Sequence, residues 1–146
     1  MLQLLALASC VLAAPPDDVV RREQQALDGN WRLVSAEQDG QRMPARQAND
    51  FSLTFKNGRF ISSQGGNKLG GHKQTGTYTL DPTKNPKTID VVPDAGPDKG
   101  KSWSLIYIVQ DSTLRICCRG IGEDRPTSFD TKDQKGVTLM VFRHAD

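Results

Sequence analysis

The amino-acid sequence predicts an all-β domain: about eight antiparallel strands closing into an up-and-down barrel, preceded by one short N-terminal helix. Three observations lead to this fold class. From Trp31 onward apolar and polar residues alternate with a period of two, turn signals recur at short intervals, and no helix-sized crossover separates the strands. A length of 146 residues suits a single domain. Eight strands are about the number at which a sheet closes around side chains or one small ligand.

The N-terminal segment has the layout of a secretory signal. Residues Leu2 to Ala14 are almost wholly apolar, end in small residues and are followed by Pro15-Pro16-Asp17-Asp18. They are too few to span a bilayer as a permanent helix. Leu7-Ala8-Ser9-Cys10 also resembles a bacterial lipobox, in which Cys10 would carry lipid. No Lys or Arg precedes the run, so a chain that is not exported is the third interpretation.

These observations divide the chain into a signal or lipoprotein signal at 1–14, a short helix and linker at 15–28, and a barrel domain at 29–146. The predicted location is outside the cytoplasm: periplasmic, in the cell envelope or extracellular. A lipid at Cys10 would be the route to a membrane.

The helix is predicted from Asp17 to Leu27, with Asp17 or Asp18 as N-cap, and Asp28-Gly29 ends it. The first strand places Trp31, Leu33 and Ser35 on one face. Asp39-Gly40 then favours a tight turn.

The second and third strands form the clearest hairpin. Phe51, Leu53 and Phe55 share one face of the second strand, and Asn57-Gly58 leads directly into Arg59 to Ser62. Both central residues of a type I′ turn need positive φ, which Asn and Gly accept. Ser63 to His72 is predicted to be a polar, flexible loop.

The middle strands are bounded by proline. Lys73 to Leu80 alternates as a half-buried strand and ends at Asp81-Pro82, and Thr88 to Val92 ends at Pro93. Gly96 to Gly100 supplies the next turn.

The last strands are strongly alternating. Lys101 to Val109 is the longest, and Asp111-Ser112 turns it into Leu114 to Cys118. A further strand is predicted around Thr127 to Phe129. Val137 to Arg143 is the last and places Arg143 on the face of Val137, Leu139 and Val141.

Cys117 and Cys118 are adjacent, so in a strand their side chains leave on opposite faces and cannot form a disulfide without distortion. One of them is predicted to be in the core. A vicinal disulfide or a metal pair is the alternative, but the chain offers few other ligands, and neither a metal nor a cofactor is predicted.

Several motifs together resemble a lipocalin-like domain family of unassigned function that is abundant in planctomycetes and acidobacteria. They are Leu27-Asp28-Gly29-Asn30-Trp31 with Val34-Ser35-Ala36-Glu37, Gly76 to Lys84, Pro86 to Asp90, Gly96 to Lys101, Ile106-Tyr107, Leu114 to Cys117 and Arg125 to Phe129. The resemblance extends from Leu27 to Arg143 and implies an exported or module-attached barrel. In the wider lipocalin superfamily the Trp of Gly-x-Trp lies across the barrel base against an Arg of the last strand. By that similarity Gly29, Trp31 and Arg143 would close the barrel.

Four residues are candidates for binding a ligand: Trp103, Tyr107, Tyr78 and Arg115. Trp103 and Tyr107 face one way and combine a flat apolar body with a hydrogen-bonding group. Arg115 shares a strand face with Cys117 and Arg119 and would hold an anionic headgroup inside a barrel. The alternatives are that the aromatic residues fill the core and that the arginines lie on the solvated outside.

The leading functional hypothesis is an exported barrel that binds a small hydrophobic or amphipathic ligand. The alternative is a side-chain-filled barrel that acts as an interaction or structural module and contacts an envelope protein. A hydrolase is the third, but His72 and His144 are poorly placed for a triad, so no enzyme activity is predicted. The net charge of +2 comes from scattered residues, so no nucleic-acid partner is predicted.

Overall fold

The computed structural model describes residues 17–44, 50–65 and 72–145. Its elements, in chain order, are α1 (Asp17–Leu27), β1 (Gly29–Gln38), β2 (Gln41–Arg42), β3 (Phe51–Lys56), β4 (Arg59–Gln64), β5 (His72–Asp81), β6 (Thr88–Pro93), β7 (Trp103–Gln110), β8 (Thr113–Cys118) and β9 (Thr138–Ala145). The prediction of an all-β barrel behind a short helix is confirmed. The signal at 1–14 and the candidate lipidation at Cys10 lie outside the described residues.

The strands form an eight-stranded closed barrel. Each pairs antiparallel with its neighbour in the order β1-β3-β4-β5-β6-β7-β8-β9, and β9 returns to pair with β1. The two-residue β2 pairs only with the end of β1, where Glu37 faces Arg42. Antiparallel pairing of sequential strands therefore gives the up-and-down order that the sequence predicted.

The hairpin at Asn57-Gly58 is confirmed. Asn57 has a φ of 52° and Gly58 a φ of 77°, and the two residues join β3 to β4 with Lys56 paired to Arg59. Asp39 and Gly40, with φ of 52° and 76°, likewise turn β1 into β2. Asn, Asp and Gly tolerate this left-handed backbone better than other residues.

A β-bulge in β1 corrects the predicted alternation of that strand. Leu33 pairs with Phe142, but the next pair is Ser35 with Val141, so Val34 is an extra residue. Ala36 rather than Ser35 then turns inward and is 3% exposed. The prediction that Ser35 shares a face with Trp31 is wrong because the bulge shifts the two-residue period by one.

The segment between β8 and β9 covers the outer face of β7, β8 and β9 and contains no strand, so the prediction of one at Thr127 to Phe129 is wrong. Its residues bury Ile106, Cys117 and Val137 in a second apolar cluster with Phe129 and Leu139. Part of the sheet is thus buried on both faces, with the main core inside the barrel.

Two arginines hold this covering segment in place: Arg125 joins it to the barrel, and Arg119 joins its two ends to each other. The Arg125 guanidinium donates to the Leu105 carbonyl at 2.7 Å and to the Asp90 carboxylate at 2.6 Å, which joins β6 and β7 from outside. Arg119 donates to the carbonyls of Lys135 and Asp124 at 3.2 and 3.1 Å. The segment is therefore fixed without regular secondary structure, because these carbonyls find donors outside a ladder.

Both described cysteines are buried free thiols. Cys118 belongs to the barrel interior and Cys117 to the outer cluster. The sequence predicted one core cysteine, and the covering segment buries the other. Burial, and to a smaller extent the charge of Glu37, raises the pKa of Cys117 to about 12. Burial, then its neighbour Cys117, raises the pKa of Cys118 to about 12.

We expect both thiols to resist labelling while the protein is folded. In a Cys10→Ser variant, a disulfide reagent at pH 8 should react on the order of a thousandfold more slowly before denaturation than after it, because the thiolate is the reactive form. Because folding raises the pKa of both thiols, they contribute their full stabilisation only below the pKa that they have in the unfolded chain, near pH 9. That stabilisation is lost as the pH rises towards 12, so alkali should unfold the protein. Rapid labelling of either native thiol would contradict this.

Candidate functional site

A cavity of about 480 Å³ occupies one half of the barrel interior. It is bounded by the ends of β3 to β7, with further contributions from β8, β9 and the β6–β7 connection. Its lining includes Phe51, Leu53, Phe55, Phe60, Ile89, Val91, Trp103, Leu105, Ile116 and Met140. These aromatic and aliphatic side chains make most of the wall apolar.

A smaller part of the wall, on β4 and β5, is polar. Four of its members lie in two cross-strand pairs, Ser62 with Gln74 and Gln64 with His72, and Lys73 and Thr75 of β5 also border the cavity. Gly76 and Tyr78 are buried inward-facing residues of β5, so alternation directs Gln74 and His72 inward and Lys73 outward. None of these four inward side chains carries a permanent charge. They can donate and accept hydrogen bonds.

Trp103 ties the cavity wall to the covering segment. Its indole N–H donates to the carbonyl oxygen of Arg119 at 2.6 Å, while its ring lines the cavity. The hydrogen bond satisfies the one polar atom of the side chain, so the rest of the ring presents an apolar surface.

The other end of the barrel is closed by α1 and Trp31. The Trp31 side chain is 1% exposed, and its indole N–H donates to the Leu27 carbonyl at the end of α1 at 2.7 Å. The His144 ring meets it edge-on, with centroids 5.0 Å apart. Gly29 has a φ of 126°, and a Cβ there would collide with the His144 imidazole. Gly29 is therefore required by both backbone and space.

A polar network also attaches α1 to the barrel. The Tyr107 hydroxyl donates to Glu23 at 2.9 Å, and the Lys87 ammonium pairs with the other Glu23 oxygen at 2.8 Å. Burial, followed by the hydrogen bond to Glu23 and its charge, raises the pKa of Tyr107 far above its usual range. Tyr107 thus stays a hydrogen-bond donor under physiological conditions.

Of the four predicted ligand-binding residues, only Trp103 lines the cavity. Tyr107 and Tyr78 are buried in the half closed by α1. Tyr78 packs edge-on against Phe55 at 5.1 Å, and burial, then the Asp28 charge, raises its pKa. Arg115 is exposed on the outer face of β8, so it does not reach the interior. These tyrosines and Arg115 thus lie away from the cavity, because depth and face depend on strand register, and their role in binding a ligand stays a prediction.

The pairing of Trp31 with Arg143 is corrected to Trp31 with His144. Trp31 lies opposite His144 in the ladder between β1 and β9, whereas Arg143 lies opposite Arg32. Neighbouring residues of a strand point to opposite faces. Arg143 is therefore exposed on the outside, and the adjacent histidine contacts the indole.

Gln64 and His72 of the polar wall were missed because Ser63 to His72 was predicted to be a loop, whereas Ser62 and Gln74 lay in predicted strands but were not identified as lining residues. In the structure β4 continues to Gln64 and β5 begins at His72. The available signal was alternation: Ser62 and Gln64 continue the inward positions of Phe60, and Gln74 and His72 continue those of Gly76.

Among residues 17–44, 50–65 and 72–145, no three or more His, Cys, Asp or Glu side chains are grouped to hold a metal ion. No helix within those ranges has the length and apolar character of a membrane span.

Comparison with known proteins supports the fold. A lipocalin-like protein from Bacteroides uniformis ATCC 8492 superposes with a TM-score of 0.54 at 16% identity, covering 82% of this chain and 99% of that one. An uncharacterized protein from Bacteroides eggerthii DSM 20697 gives a TM-score of 0.53 at 15% identity, with coverage of 82% and 99%. No protein-family profile and no curated protein matches the chain. The chain thus has a lipocalin-like fold.

Proposed function

We propose that this protein is a non-enzymatic carrier that binds a small, mostly apolar molecule with an uncharged polar end inside the barrel. The observation that carries the proposal is the cavity of about 480 Å³ with its largely hydrocarbon wall. Small-molecule sites commonly measure about 300–1,000 Å³ and combine apolar walls with a few polar groups. A barrel filled by its own side chains would not leave this volume, so the cavity favours carriage over the interaction-module alternative.

The apolar wall supplies the driving force for binding. Each methylene group that leaves water for such a wall contributes about 0.8 kcal/mol. Trp103, Phe51 and Phe60 provide broad contact surfaces around the cavity, which suits an alkyl chain or a ring system.

The polar wall determines how the ligand is oriented. Ser62, Gln64, His72 and Gln74 offer hydrogen bonds to a hydroxyl, carbonyl or amide group at one end of the ligand. Two charged residues, Lys73 and Asp98, also border the cavity. Alternation turns Lys73 away from the barrel interior, and the Asp98 carboxylate would repel a carboxylate on the ligand. An uncharged polar end is therefore favoured over an acid.

We also propose that the protein is exported to the cell envelope or beyond. Export is supported by the apolar run from Leu2 to Ala14 and the small residues at its end.

Binding is tested with the neutral fluorescent probe N-phenyl-1-naphthylamine. We expect its emission to rise on mixing with the protein and to fall again when a medium-chain 1-alkanol is added. The 1-alkanol should compete more strongly than the matched alkane, by about twofold to tenfold for one hydrogen bond. It should also compete more strongly than the matched fatty acid at pH 8. Absence of probe binding would contradict carriage.

A cavity-filling variant tests the location. Val91 is a buried cavity residue, and Val91→Trp should weaken probe binding by about tenfold or more, because the indole occupies the ligand's space. The matched control is Val34→Trp, the same substitution at a position 45% exposed on the outside of β1. Equal probe affinity in the two variants would place the ligand elsewhere.

A further inference from the structure

The outer face of β1, β8 and β9 carries three exposed arginines, Arg32, Arg115 and Arg143, which we call the arginine face. Arg32 lies directly opposite Arg143 in the ladder between β1 and β9. Arg115 lies opposite Val141, two residues from Arg143 on the neighbouring strand. Arg115 and Arg143, which were predicted to act inside the barrel, thus lie with Arg32 on its outside.

Among the residues that the structure describes, this arrangement of like charges is electrostatically unfavourable. Like charges directly opposite each other destabilise an antiparallel pair. Within the described part of the chain, the ion pairs are Arg59–Asp94, Lys87–Glu23, Lys101–Asp98 and Arg125–Asp90. None of them includes a residue of the arginine face, so no described carboxylate lies within 4.0 Å of these three guanidinium groups.

Aliphatic side chains flank Arg115 in one cross-strand row, which we call the aliphatic row. Ile108 faces Arg115, Arg115 faces Val141, and Val141 faces Ser35 next to the bulged Val34. Ile108 is 39% and Val34 45% exposed. The next row, which includes Ile106 and Leu139, lies under the covering segment. The uncovered aliphatic row therefore adjoins three arginines that have no ion pair with a described residue.

We propose that the arginine face docks on the surface of an anionic phospholipid bilayer, independently of the ligand in the cavity. The guanidinium groups bind lipid phosphates, for which their planar forked donors are well suited. The aliphatic row enters the boundary between headgroups and acyl chains. Cations beside exposed aliphatic side chains match a surface that is both negatively charged and apolar just beneath.

Vesicle co-sedimentation tests the proposal, using the full chain with Cys10→Ser so that no lipid is attached. We expect binding to vesicles of phosphatidylglycerol and phosphatidylcholine, weakening as salt rises, and much weaker binding to phosphatidylcholine alone. The double variant Arg32→Gln/Arg143→Gln should bind on the order of twentyfold more weakly, because each arginine near the surface is worth about fivefold.

The matched control is Lys84→Gln/Lys99→Gln, which removes the same charge from exposed positions in the β5–β6 and β6–β7 connections. It should bind within about threefold of the parent. Equal losses in the two double variants, or equal binding to both kinds of vesicle, would overturn the proposal.

Two further measurements separate a bilayer from other anions. Ile108→Ser should weaken vesicle binding by about fivefold, since the aliphatic row contributes. Inorganic phosphate at matched ionic strength should not displace the protein. An unaffected Ile108→Ser variant, or displacement by phosphate, would instead indicate a soluble anion or an acidic protein as the partner. The Arg32→Gln/Arg143→Gln variant should unfold at no lower temperature than the parent, which excludes misfolding as the cause of lost binding.

Discussion

Replacing Trp31 with alanine is expected to lower the free energy of unfolding by about 3–5 kcal/mol. The ring is almost completely buried between α1 and the barrel base, where it contacts His144 and donates to the Leu27 carbonyl. Its loss leaves a cavity and an unpaired carbonyl at the same place. Because small domains are stable by only about 5–15 kcal/mol, this single change should remove much of the stability. Urea denaturation monitored by circular dichroism measures it.

Two other variants serve as controls for Trp31→Ala. Trp31→Phe keeps most of the apolar contact but not the indole N–H, so it should cost about 1–2 kcal/mol. Trp103→Ala removes the same side chain from the partly exposed cavity wall. It should destabilise less than Trp31→Ala while weakening probe binding more. A loss below about 1 kcal/mol for Trp31→Ala would show that this ring does not close the barrel base.

The second large effect is expected at Ile106, which is 1% exposed beneath the covering segment. Ile106→Ala should lower the free energy of unfolding by about 2–5 kcal/mol, through lost burial and the cavity left against Cys117 and Val137. The segment should also become more susceptible to limited proteolysis.

Ile108 provides a control on the same strand and the same face. It lies two residues further along β7, is 39% exposed and is not covered by the segment. Ile108→Ala should cost no more than about 1 kcal/mol, mainly through β-propensity. Both variants should keep probe affinity, because the cavity lies on the other face of the sheet. Equal destabilisation at the two positions would mean that the segment does not form a second core.

The prediction of the cavity from sequence was partial. Trp103 lines the cavity because its strand alternates regularly and the residue lies at the cavity end of β7. Its role in binding a ligand stays a prediction. Tyr107 has the same inward orientation, but it lies deeper, beside Glu23. Alternation specifies the face of a strand and not the depth along the barrel, which depends on register with both neighbours and on which end the helix closes.

Local chemistry in the sequence determined the helix, the barrel strands, their order and the turn at Asn57-Gly58, since each depends on residues a few positions apart. The tertiary structure decided what depends on distant partners. The bulge at Val34 shifts an alternation, and the pairing of β1 with β9 sets His144 rather than Arg143 against Trp31. The covering segment buries Ile106 and leaves Ile108 exposed, although alternation puts both side chains on the outward face of β7. Packing of remote segments, which local periodicity does not encode, separates a closed base, a mostly apolar cavity and an arginine face on one small barrel.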